Sequence, residues 1–213
     1  MRHAPIWAVL PVKPFDDAKS RLQPVLDVGQ RRNLARALML HSLATLQACE
    51  FIDHVLVVSS DNDALEAATT QGAATLIESS TGLNPALEEA RRHALAGGAA
   101  GLLVLASDLP LLDLSDVDAM IATGPDADIV IAPDRRRQGT NALLLRPADT
   151  IDFSFGESSY QRHLDLAAAA GLQATEVFRT GLAFDIDLPR DWHDLMSSGW
   201  EGLPGLRLVW SRA

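Results

Sequence analysis

Near the middle of the chain, residues 102–110 read Leu102-Leu103-Val104-Leu105-Ala106-Ser107-Asp108-Leu109-Pro110. Five apolar residues, bounded by Gly101 and Pro110, predict a short strand that is buried on both faces. An ionised carboxylate at the end of such a strand is costly to desolvate unless a positive group pairs with it. Because ligands bind at the carboxyl ends of strands in open α/β sheets, Asp108 is a candidate metal ligand. A turn aspartate, or a cap for the segment after Pro110, is the structural alternative.

Strand and helix patterns alternate along the rest of the chain. We expect strands over 6–10, 54–59, 73–77, 102–106, 128–132 and 142–146, and a last strand over 182–187. Helices are expected over 30–50, 63–71, 84–96 and 115–122, then from about residue 160 to Gly171, and from Pro189 onward. This alternation predicts an α/β fold with a doubly wound, mostly parallel but mixed sheet and helices on both faces. A chain of 213 residues fits one domain over 1–213.

Composition limits the classes of function. Hydrophobic residues make up 47% and charged residues 22%, which is ordinary for a soluble globular protein. The formal net charge of −10 argues against nucleic acid and membrane surfaces as partners, although a few lysines and arginines can still form a positive pocket. Cys49 is the only cysteine, which excludes an intramolecular disulfide and suits a cytoplasmic protein. We expect no signal peptide and no membrane span.

A cationic loop follows the first predicted strand. Pro11 and Pro14 interrupt regular structure, and Lys13, Lys19 and Arg21 fall within nine residues. The loop has no glycine-rich phosphate cradle, so it would have to bind phosphate with its side chains. The alternative is a solvated loop that carries lysines for solubility.

Two more carboxylates stand in the predicted strand at 182–187. Asp185 and Asp187 are two residues apart, which places both side chains on one face of a strand. Like charges this close repel unless a cation lies between them. With Asp108 they form a plausible oxygen cage for Mg²⁺.

Four further segments each have two interpretations. Asn84 before Pro85 is a helix-start signal, and its side chain either caps the helix or contacts a ligand. The segment 155–160 places Gly156 and Ser159 before a helix, which fits an anion site or a simple serine cap. Arg135–Arg137 are either a solvated loop or a basic flap over an anionic substrate. The tail from Gly199, with Trp200 and Trp210, is an edge strand or an interface.

Taken together, these motifs resemble the guanylyltransferases of coenzyme F420 biosynthesis, within the nucleotide-diphospho-sugar transferase superfamily. The resemblance extends to about Leu195. It rests on Leu10-Pro11-Val12-Lys13, Ala18-Lys19-Ser20-Arg21-Leu22, Gly82-Leu83-Asn84, Ser107-Asp108-Leu109-Pro110-Leu111, Gly139-Thr140-Asn141-Ala142-Leu143, Phe155-Gly156 with Ser159, and Asp185-Ile186-Asp187. One departure from sugar nucleotidyltransferases is the first loop, where Pro-Val-Lys replaces a Gly-Gly signature.

The resemblance implies a Rossmann-like nucleotidyltransferase fold and a role for each motif. It implies that Asp108, Asp185 and Asp187 hold Mg²⁺, and that Thr140, Gly156 and Ser159 hold the phosphorylated acid. Nucleotide binding falls to Pro11, Lys13, Lys19, Arg21 and Asn84; of these, Lys13, Lys19 and Arg21, together with Asp108, carry the catalysis. The segment Pro133 to Gln138 inherits no role.

The implied reaction joins GTP to a three-carbon phospho-acid and releases pyrophosphate. The acid is 2-phospho-L-lactate, phosphoenolpyruvate or 3-phospho-D-glycerate. The nucleophile is a substrate phosphate that is already anionic, so no protein nucleophile or general base is needed, and none of the six histidines is assigned a role. Two alternatives stay open: nucleotidyl transfer to another acceptor, and a non-catalytic nucleotide-binding protein. A homodimer is also possible.

Overall fold

The protein, in a computed structural model that describes residues 4–123 and 127–203, is built around one seven-stranded sheet. The strands are β1 (Ile6–Pro11), β2 (His54–Ser59), β3 (Ala74–Ile77), β4 (Gly101–Leu105), β5 (Ile129–Pro133), β6 (Thr140–Leu145) and β7 (Ala174–Glu176). Their order across the sheet is β3-β2-β1-β4-β6-β5-β7. Neighbouring strands run parallel except that β6 is antiparallel to both β4 and β5. The prediction of a mixed, mostly parallel sheet is confirmed.

Helices cover both faces of the sheet. They are α1 (Val28–Ala48), α2 (Asn62–Thr70), α3 (Leu83–Ala96), α4 (Leu114–Ala122), α5 (Ser159–Ala169), α6 (Thr180–Ala183) and α7 (Pro189–Ser197). In β4, Leu103 and Leu105 pack into the core cluster that contains α1, α2 and α4 side chains. Leu102 and Val104 pack into the opposite cluster, under α3 and α5. This alternation explains why the strand is apolar throughout, because both of its faces are buried.

The predicted strand at 182–187 is wrong. The chain forms the short helix α6 and then runs irregularly to α7. Its backbone groups have partners other than a neighbouring strand: Ala183 O accepts from Arg135 N at 3.0 Å, and Ile186 N donates to Asp108 O at 3.3 Å. Ile186 nevertheless is fully buried in a third cluster with α1 and α7 residues, while the aspartates on either side line the site.

Smaller differences lie at element ends. The three-residue strand β7 was not expected, because it is too short and too polar to give a strand pattern. Gly82, not Asn84, is the cap residue of α3, and the structure assigns no strand to the described part of the tail. The rings of Trp200 and Trp192 pack edge to face at 6.4 Å; Trp210 lies outside the described residues.

In the chain as described, no helix has the length and apolar character needed to span a membrane.

Candidate active site

Two adjoining cavities open where the loops after β1 and β4 meet. One, about 860 Å³ and lined mainly by charged and polar residues, is here called the polar cleft. The other, about 520 Å³, has Pro11, Val12, Val58, Leu83 and Ala86 in its walls and is called the apolar cavity. They share the residues Lys13, Lys19, Asp134, Gly139, Gly156, Asp185 and Asp187.

Nearly all of the predicted site residues gather at these cavities. Arg21 lines the polar cleft; Pro11, Asp108, Thr140 and Ser159 line the apolar cavity; and Lys13, Lys19, Gly156, Asp185 and Asp187 line both. Asn84 is the exception, since it lines neither cavity. The structure therefore brings together site residues that are spread in the sequence from residue 11 to residue 187.

One buried side chain and two hydrogen bonds anchor the cationic loop. Phe15 is buried in the core, and its N–H donates to the Asp61 carboxylate at 2.8 Å. A turn closes over Pro14, whose carbonyl accepts from the N–H of Ala18 at 2.9 Å. Lys13 and Arg21 are exposed, and neither is ion-paired with a carboxylate of the described residues. Both cations are therefore available to an anionic ligand.

Lys19 bridges two of the candidate metal ligands. Its ammonium lies 2.6 Å from Asp108 Oδ2 and 3.2 Å from Asp187 Oδ1, and it donates to Ile186 O at 2.6 Å. Burial alone would lower the pKa of Lys19, but the two carboxylates hold that pKa above its usual value. Lys19 also has a left-handed backbone, with φ 56°, which costs a non-glycine residue of order 1 kcal/mol. Strain of this kind is typical of functional sites.

The three aspartates have unequal proton affinities. Burial, followed by the charges of Asp108 and Asp187, raises the pKa of Asp185 to about 6. Burial acts in the same direction on Asp187, but the nearby cations, Lys19 first, lower its pKa below the usual range. The cluster thus holds more negative charge than one ammonium can neutralise.

The donor set fits a hard divalent cation, since all three side chains offer carboxylate oxygens. In the structure, however, the Lys19 ammonium lies between Asp108 and Asp187. Within residues 4–123 and 127–203, no three His, Cys, Asp or Glu side chains are grouped so as to hold a metal ion. The Mg²⁺ prediction therefore stays a prediction, and metal binding would require Lys19 to withdraw from between Asp108 and Asp187.

Asn84 binds the backbone of the loop that contains Gly156. Its amide nitrogen donates to Phe155 O at 3.1 Å, and its oxygen accepts from Phe155 N at 2.8 Å. The side chain thereby satisfies the whole peptide backbone of the residue before Gly156. Gly156 has φ 118°, a conformation that side-chain-bearing residues rarely adopt, so glycine is required there. Asn84 does not cap α3, because its amide is used by this loop. Its predicted role in nucleotide binding stays a prediction.

Thr140 and Ser159 meet in a buried network that includes a histidine the sequence did not single out. The Thr140 N–H donates to Ser159 Oγ at 2.9 Å. Thr140 Oγ1 lies 3.0 Å from His163 Nδ1, and the Ser154 N–H donates to His163 Nε2 at 3.1 Å. Ser159 therefore does not cap α5, whose cap residue is Ser158. The spacing of Ser159 and His163, one helical turn apart, was the signal available in the sequence.

Asp191 is a second residue that sequence reasoning missed. It is almost fully buried, at 1% exposure, and one oxygen accepts from the Arg135 and Arg136 guanidinium groups at 2.8 Å each. The other oxygen accepts from the backbone N–H of Asp187 at 3.1 Å and of Leu188 at 2.7 Å. Asp191 thus ties the arginine segment to the segment that carries Asp187. Arg136 and Arg137 are nevertheless exposed, and Arg136 lines the polar cleft, so a role over an anionic substrate stays a prediction.

The fold is a mixed α/β sheet, with cations and carboxylates gathered at two adjoining cavities beside the ends of its strands. Solved structures agree with the fold. A nucleotide-diphospho-sugar transferase from Desulfovibrio desulfuricans G20 superposes with a TM-score of 0.75, at 17% identity, over 92% of this chain and 88% of that one. CMP:2-keto-3-deoxy-manno-octonic acid synthetase superposes with a TM-score of 0.59, at 15% identity, over 92% and 99% of the two chains.

The family follows from sequence comparison. Residues 6–202 match the model of the family described as "Guanylyl transferase CofC like", and the chain belongs to that family. The phosphoenolpyruvate guanylyltransferase of Rubrobacter xylanophilus is 44% identical over 195 residues, which is 91% of this chain and 95% of that protein. The Sphaerobacter thermophilus protein of the same name is 43% identical over 88% and 91% of the two chains. The 2-phospho-L-lactate guanylyltransferase of Methanothermobacter thermautotrophicus is 33% identical over 90% and 84%.

Proposed function

We propose that this enzyme transfers GMP from GTP to the phosphate of a three-carbon phospho-acid, with release of pyrophosphate, in coenzyme F420 biosynthesis. The observation that carries the proposal is the meeting of one cationic loop with three aspartates at two adjoining cavities. Such a site suits a reaction between two anions. Phosphoenolpyruvate is the first acceptor to test, because the relatives at 43% and 44% identity are named for it.

The chemistry balances without a protein nucleophile. An oxygen of the acceptor's phosphate attacks the α-phosphorus of GTP, a new P–O–P bond forms, and the bond to the β-phosphate oxygen breaks. Pyrophosphate leaves as an anion, so no side chain has to move a proton. The barrier is mainly the approach of two negative groups, which positioned cations lower by neutralising charge and fixing the attack direction.

Each cation has a position suited to this task. Lys13 and Arg21 are exposed at the polar cleft and would hold the triphosphate, with the Arg21 guanidinium able to bind two oxygens at once. Lys19 stands at the boundary of both cavities. On this proposal Lys19 moves from the carboxylates to the α- or β-phosphate when the nucleotide binds.

Asp108, Asp185 and Asp187 are the residues that would hold Mg²⁺. When bound, the ion would supply charge neutralisation and orientation at the phosphates. Asp185, whose pKa is raised to about 6, would lose any bound proton to take part. Asp191 would keep Asp187 in place through its hydrogen bond to the Asp187 N–H.

The test is product identification. The enzyme is incubated with Mg²⁺, each of four nucleoside triphosphates and each of the three phospho-acids, and pyrophosphate release is followed together with mass spectrometry of the products. We expect a guanosine-diphosphate adduct from GTP and phosphoenolpyruvate. Adducts formed only from another nucleotide, or no adduct from any pair, would refute the proposal.

Substitutions test the roles of the carboxylates. Asp108→Asn, and the double variant Asp185→Asn with Asp187→Asn, should abolish turnover while leaving the circular dichroism spectrum unchanged. The matched control is Asp165→Asn, an exposed carboxylate on α5 away from both cavities. Near-normal pyrophosphate release by either site variant in Mg²⁺ would contradict the assignment.

A further inference from the structure

His163 lies in the middle of the network behind the candidate acceptor site. It is completely buried on α5, with the Phe155 ring packed edge to face against it at 4.8 Å. One ring nitrogen faces a backbone N–H and the other faces a hydroxyl. Its two partners belong to different segments: Ser154 precedes Phe155 and Gly156, and Thr140 begins β6.

The hydrogen bonds fix which nitrogen carries the proton. A backbone N–H can only donate, so His163 Nε2, which faces the Ser154 N–H, must be the unprotonated acceptor. The imidazole is neutral, since burial and then the Arg162 charge lower the pKa of His163 to about 4. Its single N–H is therefore on Nδ1, where it donates to Thr140 Oγ1 at 3.0 Å.

This assignment determines what the Thr140 hydroxyl can do. With one lone pair occupied by His163, the hydroxyl hydrogen is left to point elsewhere. None of the described residues accepts it, and Thr140 lines the apolar cavity together with Asp108 and Gly156. An O–H donor with a fixed direction is suited to an anionic oxygen.

The geometry points to His163 as a positioning residue that makes Thr140 a donor toward an anionic oxygen of the acceptor. The inference deepens the proposed function and rests on it. His163 does not touch the substrate; it fixes the direction of a hydroxyl and, through Ser154, the start of the loop that holds Gly156. Its removal should weaken binding of the phospho-acid and leave binding of GTP unchanged.

Two substitutions separate the two hydrogen bonds. His163→Gln places an amide oxygen near the Nε2 position, so it can still accept from Ser154, but it loses the donor to Thr140. His163→Asn places an amide nitrogen near the Nδ1 position and restores that donor. We expect His163→Gln to raise the KM for phosphoenolpyruvate about tenfold or more, with the KM for GTP within about twofold, and His163→Asn to recover part of the loss.

A double-mutant cycle tests whether the effect passes through the hydroxyl. Thr140→Val should raise the KM for phosphoenolpyruvate similarly, and His163→Gln should add nothing in that background. Additive effects, or wild-type KM values in a folded His163→Gln variant, would overturn the inference. Urea unfolding verifies that each variant is folded before its kinetics are compared.

A readout without turnover separates this inference from the proposed function. A long-range ¹H–¹⁵N spectrum of the free protein at neutral pH should show the His163 ring with hydrogen on Nδ1 only. Hydrogen on Nε2, or a doubly protonated ring, would overturn the inference even if the enzyme makes the guanylylated product. The expected tautomer in a protein that transfers no GMP would leave the hydroxyl's direction established and refute only the proposed reaction.

A separate observation concerns Glu78, which lines the apolar cavity. The Glu78 N–H donates to Ser59 O at 3.0 Å, which continues the pairing of β3 with β2 by one residue. Strand alternation therefore places Glu78 on the same face as Leu76, which packs with Val58 and Leu87 under α3. Glu78 is half-buried, and its carboxylate has no hydrogen-bond partner among the residues that the structure describes.

The surroundings of Glu78 suit one nucleobase. Pro11, Val58, Leu83 and Ala86 supply apolar walls for a flat ring. Guanine alone among the common bases presents two adjacent N–H donors, at N1 and the 2-amino group, which match the two oxygens of a carboxylate. Adenine and cytosine place a ring-nitrogen acceptor beside their amino group, and uracil flanks its one N–H with carbonyls.

We infer that Glu78 selects guanine by accepting hydrogen bonds from N1–H and the 2-amino group. This inference also rests on the proposed function. ITP, which lacks only the 2-amino group, is the probe. The wild type should prefer GTP over ITP in kcat/KM by about tenfold or more, and Glu78→Gln should bring that ratio close to one.

The control variant is Glu50→Gln, an exposed residue beyond the end of α1, which should keep the wild-type ratio. An unchanged GTP-to-ITP ratio in an active Glu78→Gln enzyme would overturn the Glu78 inference and leave the proposed reaction intact. A wild-type enzyme that uses no guanine nucleotide would instead overturn the proposed function and this inference together.

Discussion

The buried His163 should make the stability of this protein depend on pH in a defined window. Its pKa is about 4 in the folded state, against 6.5 for an unperturbed histidine, because burial disfavours the imidazolium. Between pH 4 and pH 6.5, this residue therefore binds more protons in the unfolded chain than in the folded protein. The free energy of unfolding is therefore highest above about pH 6.5 and falls as the pH approaches 4.

The size of the effect follows from the two pKa values. Each tenfold change in proton affinity corresponds to about 1.4 kcal/mol, so the full loss in the free energy of unfolding is roughly 3 kcal/mol. About 2.5 kcal/mol of it is lost by pH 4.5. That is a large part of the stability of an ordinary domain. His163→Gln has no titrating group at this position, so it should lack this component.

Urea unfolding at pH 7 and at about pH 4.5 measures the difference. Other groups titrate in the same interval, Asp185 among them with the opposite sign, but they are common to both proteins and cancel in the comparison. We expect the wild type to lose about 2.5 kcal/mol more than the variant between the two pH values. Equal losses would show that His163 is not buried as a neutral ring, and would refute the tautomer argument as well.

Other predictions follow from single contacts. Asn84→Ala leaves the Phe155 N–H and C=O without their partner and should lower the free energy of unfolding by about 1–3 kcal/mol in urea titrations. Asp191→Ala should lower the free energy of unfolding by about 3 kcal/mol in the same assay, because two guanidinium groups and two N–H groups lose a buried acceptor. The control Asp194→Ala removes an exposed ion pair and should lower it by less than about 1 kcal/mol. Lys19→Ala should remove most of the kcat/KM for GTP in the pyrophosphate assay; a value within about twofold of the wild type would refute a role for Lys19 at the phosphates.

The arrangement of Asp191 explains why the site tolerates a long irregular segment between α6 and α7. A single buried carboxylate accepts hydrogen bonds from two arginines of one segment and two backbone N–H groups of another. Arg135 also stacks over the Phe184 ring at 3.8 Å. These contacts hold the segment that carries Asp185 and Asp187 without the ladder of a strand, so these two candidate metal ligands are positioned by side chains rather than by the sheet.

The sequence by itself determined the layers of the fold and most of the segments that meet at the candidate site. Short apolar runs such as 102–105, bounded by glycine and proline, predict strands that are buried on both faces. Motifs placed directly after such strands lie at the carboxyl edge of the sheet, so Asp108 and the Pro11–Lys13 segment could be assigned to one site before any contact was known. Every predicted site residue except Asn84 lines one or both of the two adjoining cavities.

Only the tertiary structure decided what each polar side chain does there. The pair Asp185 and Asp187 has strand spacing, yet the segment is irregular because its N–H groups are satisfied by Asp191 and by the Asp108 carbonyl. The local sequence does not reveal the hydrogen-bond partners of Asn84 and His163. Asn84 binds Phe155, which lies 71 residues away, and His163 binds Thr140, which lies 23 residues away. Local patterns fix burial and backbone geometry, whereas hydrogen-bond partners distant in sequence are chosen only when the chain has folded.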